Sequence, residues 1–425
     1  MTRAVRTAHV ARGLGAFELV TLVMIGSRTA IDLTHTGPAE ENMRLSVLVT
    51  GSYTLLALAW LISRWIGGRR PHISPVVIAA AAVTGAAILS ALLSIDPARA
   101  LTGASRWFSL AVFLLVLENV VIDKRSARRL LVAVAVSTVI PLSVGAWQFG
   151  TGTGRLLDGI WRIEGSFAHP NTYGFYLAIV GIALVAILRH LTFVYRLAGV
   201  GLFLLVIASL IATYSRTSYI ALAAGVLTVA VLGRRWLLLA VVVVALAVMP
   251  LVAIVGDRFS DLSEGSTLRG TPGNSLTWRI AYWSDVVEAG EGRRVTGLGL
   301  GMVSETTEQG REPHNDFVRV FVELGGIGLV CYLGFLATLG WLLRRALLST
   351  WSAPALSGLP RGLAEASAGI LVAYSVASLT GNPMTQLVVL WYTFGLFAAG
   401  SWPARSGSGP AISERDRPRV SLVRA

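Results

Sequence analysis

The sequence predicts an all-α polytopic membrane protein with about twelve transmembrane helices and a long external loop between the ninth and tenth. Three observations predict it. Apolar residues make up 54% of the chain and charged residues only 14%, which places it outside the range of soluble globular domains. Apolar stretches long enough to cross a bilayer recur from end to end. The basic residues cluster in the short connections between those stretches, at every second one.

In chain order the apolar segments read as 14–33, 45–66, 74–94, 105–122, 128–149 and 171–190. They continue as 196–213, 217–233, 236–256, 316–343, 363–382 and 385–402. Arg28 interrupts the first run and no small-residue cleavage pattern follows it, so it reads as a membrane helix and not as a signal peptide. Arg3, Arg6 and Arg12 precede the first span, and Arg64, Arg69 and Arg70 follow the second. The same alternation continues with Lys124, Arg125, Arg128 and Arg129, then Arg189 and Arg196, Arg234 and Arg235, and Arg344, Arg345 and Arg361. By the positive-inside rule these connections and both termini are cytoplasmic. The expected membrane domain is 1–402, and residues 403–425, rich in Ser, Gly, Pro and Arg, read as a disordered cytoplasmic tail.

The net charge of +13 is accounted for by these membrane-flanking loops, with no single basic face to offer a nucleic acid. Cys331, the only cysteine, lies inside the tenth span, so no intramolecular disulfide and no cysteine metal cluster is available. The six histidines are scattered without a His-x-x-x-His pair, there is no Asp-x-Asp, and no metal or other cofactor is expected.

Two external connections are long. The first, 150–170, carries Arg155, Asp158, Arg162, Glu164 and His169. Arg162 reads either as an anion ligand or as a salt-bridge partner of Glu164, and His169 as an ordinary helix-entry residue. The second, 257–315, is too long for a structureless connector and is expected to be functional. Within it Leu276, Ile280, Trp283 and Val287 form one helical stripe, with Arg279 between that stripe and Val286. A guanidinium turned toward a packed face needs an anionic partner or ligand.

Polar residues punctuate the apolar runs at a few places. Tyr214-Ser215-Arg216-Thr217-Ser218 interrupts two spans and puts Arg216 near the external face, where a cation is costly unless it serves a function or a partner. Pro313-His314-Asn315 sets a titratable imidazole at the mouth of the tenth span, beside a helix N-terminus that suits phosphate and favours the neutral ring. Arg319 and Glu323, four apart, are expected to neutralise each other, and Gly325 and Gly328 to permit close helix packing. Gly297-x-Gly299-x-Gly301 reads as a turn leading the loop back to the membrane, and Asn382-Pro383 as a helix stop. Arg162, Arg216, Arg279 and His314 all fall on the predicted external side. Guanidinium forks that stay charged at any working pH are a sound way to hold a diphosphate.

Taken together, these residues resemble the bacterial O-antigen ligase and polysaccharide polymerase superfamily. The resemblance is carried by Arg162-x-x-Gly165-Ser166-Phe167 through Pro170-Asn171, Ser215-Arg216, and Arg279 with Tyr282-Trp283. It continues in the spaced glycines from Gly297 to Gly301 and in His314-Asn315 followed by Gly325 and Gly328. It extends over roughly residues 45–400; Leu329-Val330 stands where the family's last motif usually reads Thr-Gly. The resemblance implies a C-type glycosyltransferase architecture and a metal-independent, inverting transfer in a bacterial inner membrane. The donor would be a polyprenyl (undecaprenyl) diphosphate-linked glycan. The acceptor would be a hydroxyl of a glycan, glycolipid or protein on the external face. It also implies that Arg216 and Arg279 bind the donor diphosphate and that His314 activates the acceptor hydroxyl or contacts phosphate. Arg162 would be a lesser donor or acceptor contact, and Asn315, Gly325 and Gly328 would support the motif.

Within that reading a polymerase that extends the lipid-linked glycan is the nearest alternative. A transporter or lipid flippase is the alternative from another class, and it predicts polar residues in broken helices at mid-bilayer depth. Glu118, Arg319 and Glu323 are the residues that could serve it.

Overall fold

A computed structural model describes residues 15–31, 39–157, 160–248 and 276–405. The chain is all-α apart from one short hairpin. Its helices are α1 Ala16–Ile31, α2 Ala39–Ile66, α3 Pro75–Leu92, α4 Pro97–Val120, α5 Lys124–Ser137 and α6 Val139–Thr151. The hairpin pairs β1 Arg155–Leu157 with β2 Ile160–Arg162 antiparallel, Arg155 opposite Arg162. Then come α7 Pro170–Ile187, α8 Phe193–Ala212, α9 Arg216–Leu232, α10 Trp236–Val248, α11 Leu276–Ala289 and α12 Val303–Thr306. The chain ends in α13 Asp316–Ser352, α14 Leu359–Thr380 and α15 Leu387–Arg405.

Among the described residues nine helical segments are long and apolar enough to span a membrane, which makes this a multi-pass membrane protein. The other three expected spans correspond to α1, described over 16 residues, to α9, a shorter apolar helix of 17 residues, and to α10, whose expected span 236–256 runs past Val248 outside the described residues. The fourth span starts at Pro97, eight residues before the expected 105, because Asp96 caps the Arg99 amide and Pro97 occupies the first turn. The same cap-then-proline device opens α3 at Ser74-Pro75 and α7 at His169-Pro170. Residues 403–405, expected in the tail, are helical: α15 runs through Pro403 to Arg405, whose guanidinium bonds the Glu118, Val121 and Ala398 carbonyls. The rest of the tail, 406–425, and the loop residues 257–275 lie outside the described residues.

α7 and α15 are almost wholly buried and form the centre of the bundle, with α14 packed on both and on α9. Aromatic stacking ties the centre to the flank, Phe113 on Trp391 at 4.1 Å between ring centroids. At the end where α7 and α9 finish and α14 begins, the fully buried Glu365 gathers Arg189 at 2.8 Å, Arg235 at 2.7 Å and Arg361 at 3.0 Å. Three of the connections expected on one side of the membrane therefore converge on one carboxylate.

The opposite end is built around a break in α13. Gly325 has φ +69° and ψ −173°, a conformation that side-chain-bearing residues avoid, and the helix is interrupted there. The groups this releases are taken by the chain just before it. Val322 and Glu323 carbonyls accept from the amides of Leu298 (3.0 Å) and Gly299 (2.9 Å), while Gly326 N donates to Arg294 O at 2.8 Å. The approach leaves no room for side chains: a Cβ on Gly325 would lie 2.2 Å from Val295 O, and one on Gly297 2.3 Å from Glu323 O. Gly325 thus serves backbone-to-loop contact and not the helix-to-helix packing its spacing suggested. A Cβ on Gly328 would meet Leu324 of the same helix, 2.1 Å away, so the second glycine relieves crowding at the break. The turn expected of the spaced glycines is present, with Gly297, Gly299 and Gly301 all at positive φ.

Candidate active site

Five separate pieces of chain meet at this end to enclose a cavity of about 210 Å³. The start of α7 contributes His169 and Asn171, the first turn of α9 contributes Thr217 and Ser218, and α11 contributes Arg279. The entry to α13 contributes His314, and the segment from Thr380 to Gln386 closes the wall.

α11 lies within one residue of its expected bounds, but its packed face is turned. Tyr282 and Val286 are buried against Val322, whereas Ile280 of the expected stripe is 54% exposed. Arg279, one turn before Tyr282, shares the packed side, so the conclusion drawn from the stripe holds although its members differ. Arg279 Nη1 donates to Thr380 O at 2.6 Å. Burial, and then the neighbouring Arg216, lower the pKa of this guanidinium, so the cavity disfavours further positive charge. Arg216 opens α9 beside the cavity wall, preceded by Tyr214 in the left-handed region at φ 50°.

His314 is held in the left-handed region too, at φ 50°, and its neighbours fix that strained position. Trp283 Nε1 donates to Pro313 O at 2.7 Å, and the Tyr282 hydroxyl donates to Arg311 O at 2.7 Å. On the other flank Asn315 caps α13, its side-chain oxygen accepting from Phe317 N and Val318 N. Asn315 thereby orients the backbone at the entry to α13. Burial, then Arg279, His169 and Arg311, push the His314 pKa down to about 4, so the ring is neutral at neutral pH. His169 does cap α7, accepting from Asn171 N at 3.0 Å, but it also faces the cavity. Its pKa is likewise about 4, through burial and then Arg162 and Arg155.

The structure separates the four sequence candidates. Arg279 and His314 line one cavity with Arg216 adjacent, and Arg162 stands behind its wall. Arg162 is buried, donates from Nε to Thr213 O at 2.7 Å, and from Nη2 to Asn171 Oδ1 at 2.7 Å. It fastens the turn before α9 to the start of α7, and so positions Ser215-Arg216. Arg319, expected to pair with Glu323, does so at 3.4 Å and also contacts Glu312.

Two residues were missed. Asn382 reads in the sequence as part of a helix stop, yet its amide nitrogen lies 3.3 Å from His314 Nδ1 inside the cavity. Asp316 is fully buried, and its Oδ2 accepts from Ser378 Oγ and from Met384 N, each at 2.9 Å. It locks the first turn of α13 to the wall segment. An Asp in the first turn of a helix looks like ordinary dipole pairing in sequence, which hid this role.

Comparison with known families supports the same region. Residues 201–333 match a family model described as O-antigen ligase, a stretch that includes Arg216, Arg279, His314, Asn315, Gly325 and Gly328. Arg162, His169 and Asn382 fall outside the match. No curated protein matches the chain. Set among membrane-spanning helices, residues 201–333 form a region similar to the O-antigen ligase domain of membrane enzymes.

Proposed function

We propose that the protein transfers a glycan from a polyprenyl diphosphate carrier to an acceptor hydroxyl on the external face of a bacterial cell membrane. The observation that carries this reading is the placement of Arg279 and His314 on one buried cavity with Arg216 beside it. The match of residues 201–333 to the O-antigen ligase family model supports it.

The donor diphosphate would lie against Arg279 and Arg216. Its negative charge would offset the mutual repulsion of the guanidinium groups, which together take up the charge of the departing diphosphate. His314 would take the proton of the acceptor hydroxyl as its oxygen attacks the anomeric carbon and the carbon–oxygen bond to the diphosphate breaks with inversion. The ring is a weak base because it is buried and, secondarily, because cations surround it. A bound diphosphate reverses that field and raises the basicity of the ring when a proton must be accepted. Fixed guanidinium charge replaces a divalent metal in this scheme, and the basic connections at the other end of the bundle face the cytoplasm.

Binding of polyprenyl diphosphate to the full-length protein in nanodiscs tests the reading. Wild type should bind it and Arg279→Ala should lose at least about tenfold in affinity, as expected for a charged hydrogen-bond pair. Equal affinity in both would sink the assignment.

A further inference from the structure

A second cavity of about 540 Å³ sits on the far side of the Pro383–Thr385 turn. Its walls are α4, the turn around Leu300 and Gly301, and the first turns of α13. The two cavities are close neighbours: Thr385 lines both, with Met384 on this side and Pro383 on the other. None of the four sequence candidates lines the second one.

Its chemistry differs from that of the first. Arg99, Arg106 and Arg319 face it together with Glu312 and Glu323, so charges of both signs are interleaved. Arg99 pairs with Glu305 at 2.8 Å, and the buried Arg319 pairs with Glu323 and Glu312. Among the described residues no carboxylate pairs with Arg106, which is exposed. The indole of Trp107, held edge-on by Tyr332 and Phe335, supplies an aromatic wall.

A cavity that nearly balances its own charge is a poor phosphate site. Alternating fork donors and carboxylate acceptors beside an indole instead match neighbouring hydroxyls and the apolar face of a sugar ring. The position is built, not incidental. Ser90 and Ser94 hydroxyls bond the Glu323 and Leu298 carbonyls at 2.6 Å each, and Glu323 Oε1 accepts from Val303 N, fixing α13 and the loop walls to each other and to the end of α3.

We propose that this cavity is the acceptor subsite, taking a sugar residue of the acceptor glycan and passing its hydroxyl across Thr385 to the donor. The inference rests on the transfer reading above and adds Arg106 as a residue that binds the acceptor.

Titration calorimetry on the full-length protein tests it with two probes. One is the source cell's repeat-unit oligosaccharide freed from its carrier; the other is inorganic pyrophosphate. Arg106→Ala should weaken oligosaccharide binding by about tenfold or more, the scale of one charged hydrogen bond, with pyrophosphate affinity unchanged. Arg279→Ala should do the reverse. Oligosaccharide binding that survives in Arg106→Ala, or falls equally in both variants, overturns the subsite. Should wild type bind the oligosaccharide in an Arg106-dependent way yet ignore pyrophosphate, the diphosphate reading fails and sugar binding here stands.

Discussion

Arg279 Nη1 donates to Thr380 O at 2.6 Å, so the loop helix that carries the guanidinium is tied to the last carbonyl of α14. One N–H of the fork is spent on position, and the planar group is presented to the cavity at a fixed angle. A lysine ammonium cannot hold the carbonyl and a diphosphate oxygen in the same geometry. Arg279→Lys should therefore lower kcat/KM by about 10²-fold although charge is kept, a loss typical of a removed preorganised donor. Steady-state kinetics on both variants checks this, and a lysine variant near wild type would mean a simple point charge suffices.

His314 gives a pH signature. Its pKa in the free protein is about 4 against an ordinary 6.5, so the folded chain resists a proton that the unfolded chain accepts. Lowering the pH from 6.5 toward 4 should progressively remove the stability this ring contributes. In kinetics, kcat/KM should show no acid limb near 6.5, whereas kcat should show its limb at higher pH, because bound diphosphate raises the pKa. Full pH–rate profiles of wild type and His314→Gln test both statements; the variant should lose the kcat limb.

The Asn382 amide sets the tautomer of that ring. With Nδ2 toward His314 Nδ1 the ring carries its proton on Nε2; turned by half a rotation, Oδ1 accepts Nδ1–H and leaves Nε2 as a base. Among the described residues Asn382 Oδ1 has no hydrogen-bond partner in the first orientation, which leaves it open to the second. Asn382→Ala should cut kcat by about 10-fold, since a looser ring weakens acid–base catalysis, and leave polyprenyl diphosphate affinity within about twofold. Equal loss in both quantities would make Asn382 a structural wall.

Much of this was readable in the sequence, and the limits are physical. Arg216, Arg279 and His314 stand out because a cation or imidazole beside apolar spans has few bland explanations. Arg162 stands out equally, yet its fork bonds Thr213 O and Asn171, because sequence reports the cost of a buried charge and not which partner meets it. The Gly325 break was invisible for a related reason: spaced glycines permit both close helix packing and forbidden backbone angles. Only the approach of Val295 decides between them.

That decision predicts a stability effect. Gly325→Ala places a Cβ against Val295 O in a backbone region essentially reserved for glycine, a cost of about 1–3 kcal/mol from the backbone alone. The variant should unfold at clearly lower temperature in detergent, while Gly334→Ala, with nothing within 4 Å of its Cβ, should not.

Arg162→Ala separates positioning from contact. If Arg162 acts by fastening the turn before α9, the variant should lose stability and kcat, while donor affinity of the folded fraction stays within about twofold of wild type. A drop in donor affinity as large as that of Arg279→Ala would place Arg162 on the diphosphate.

The most direct test is a transfer reaction with purified protein, a polyprenyl-diphosphate glycan, an acceptor and EDTA, with products resolved by mass. The account predicts free polyprenyl diphosphate released one for one with glycan joined to a hydroxyl, abolished by Arg279→Ala and by His314→Ala. Glycan lengthened on its carrier would mark elongation, and glycan on a different acceptor would mark attachment. No turnover with any donor, beside measurable lipid movement across the bilayer, would contradict the account and make the protein a transporter.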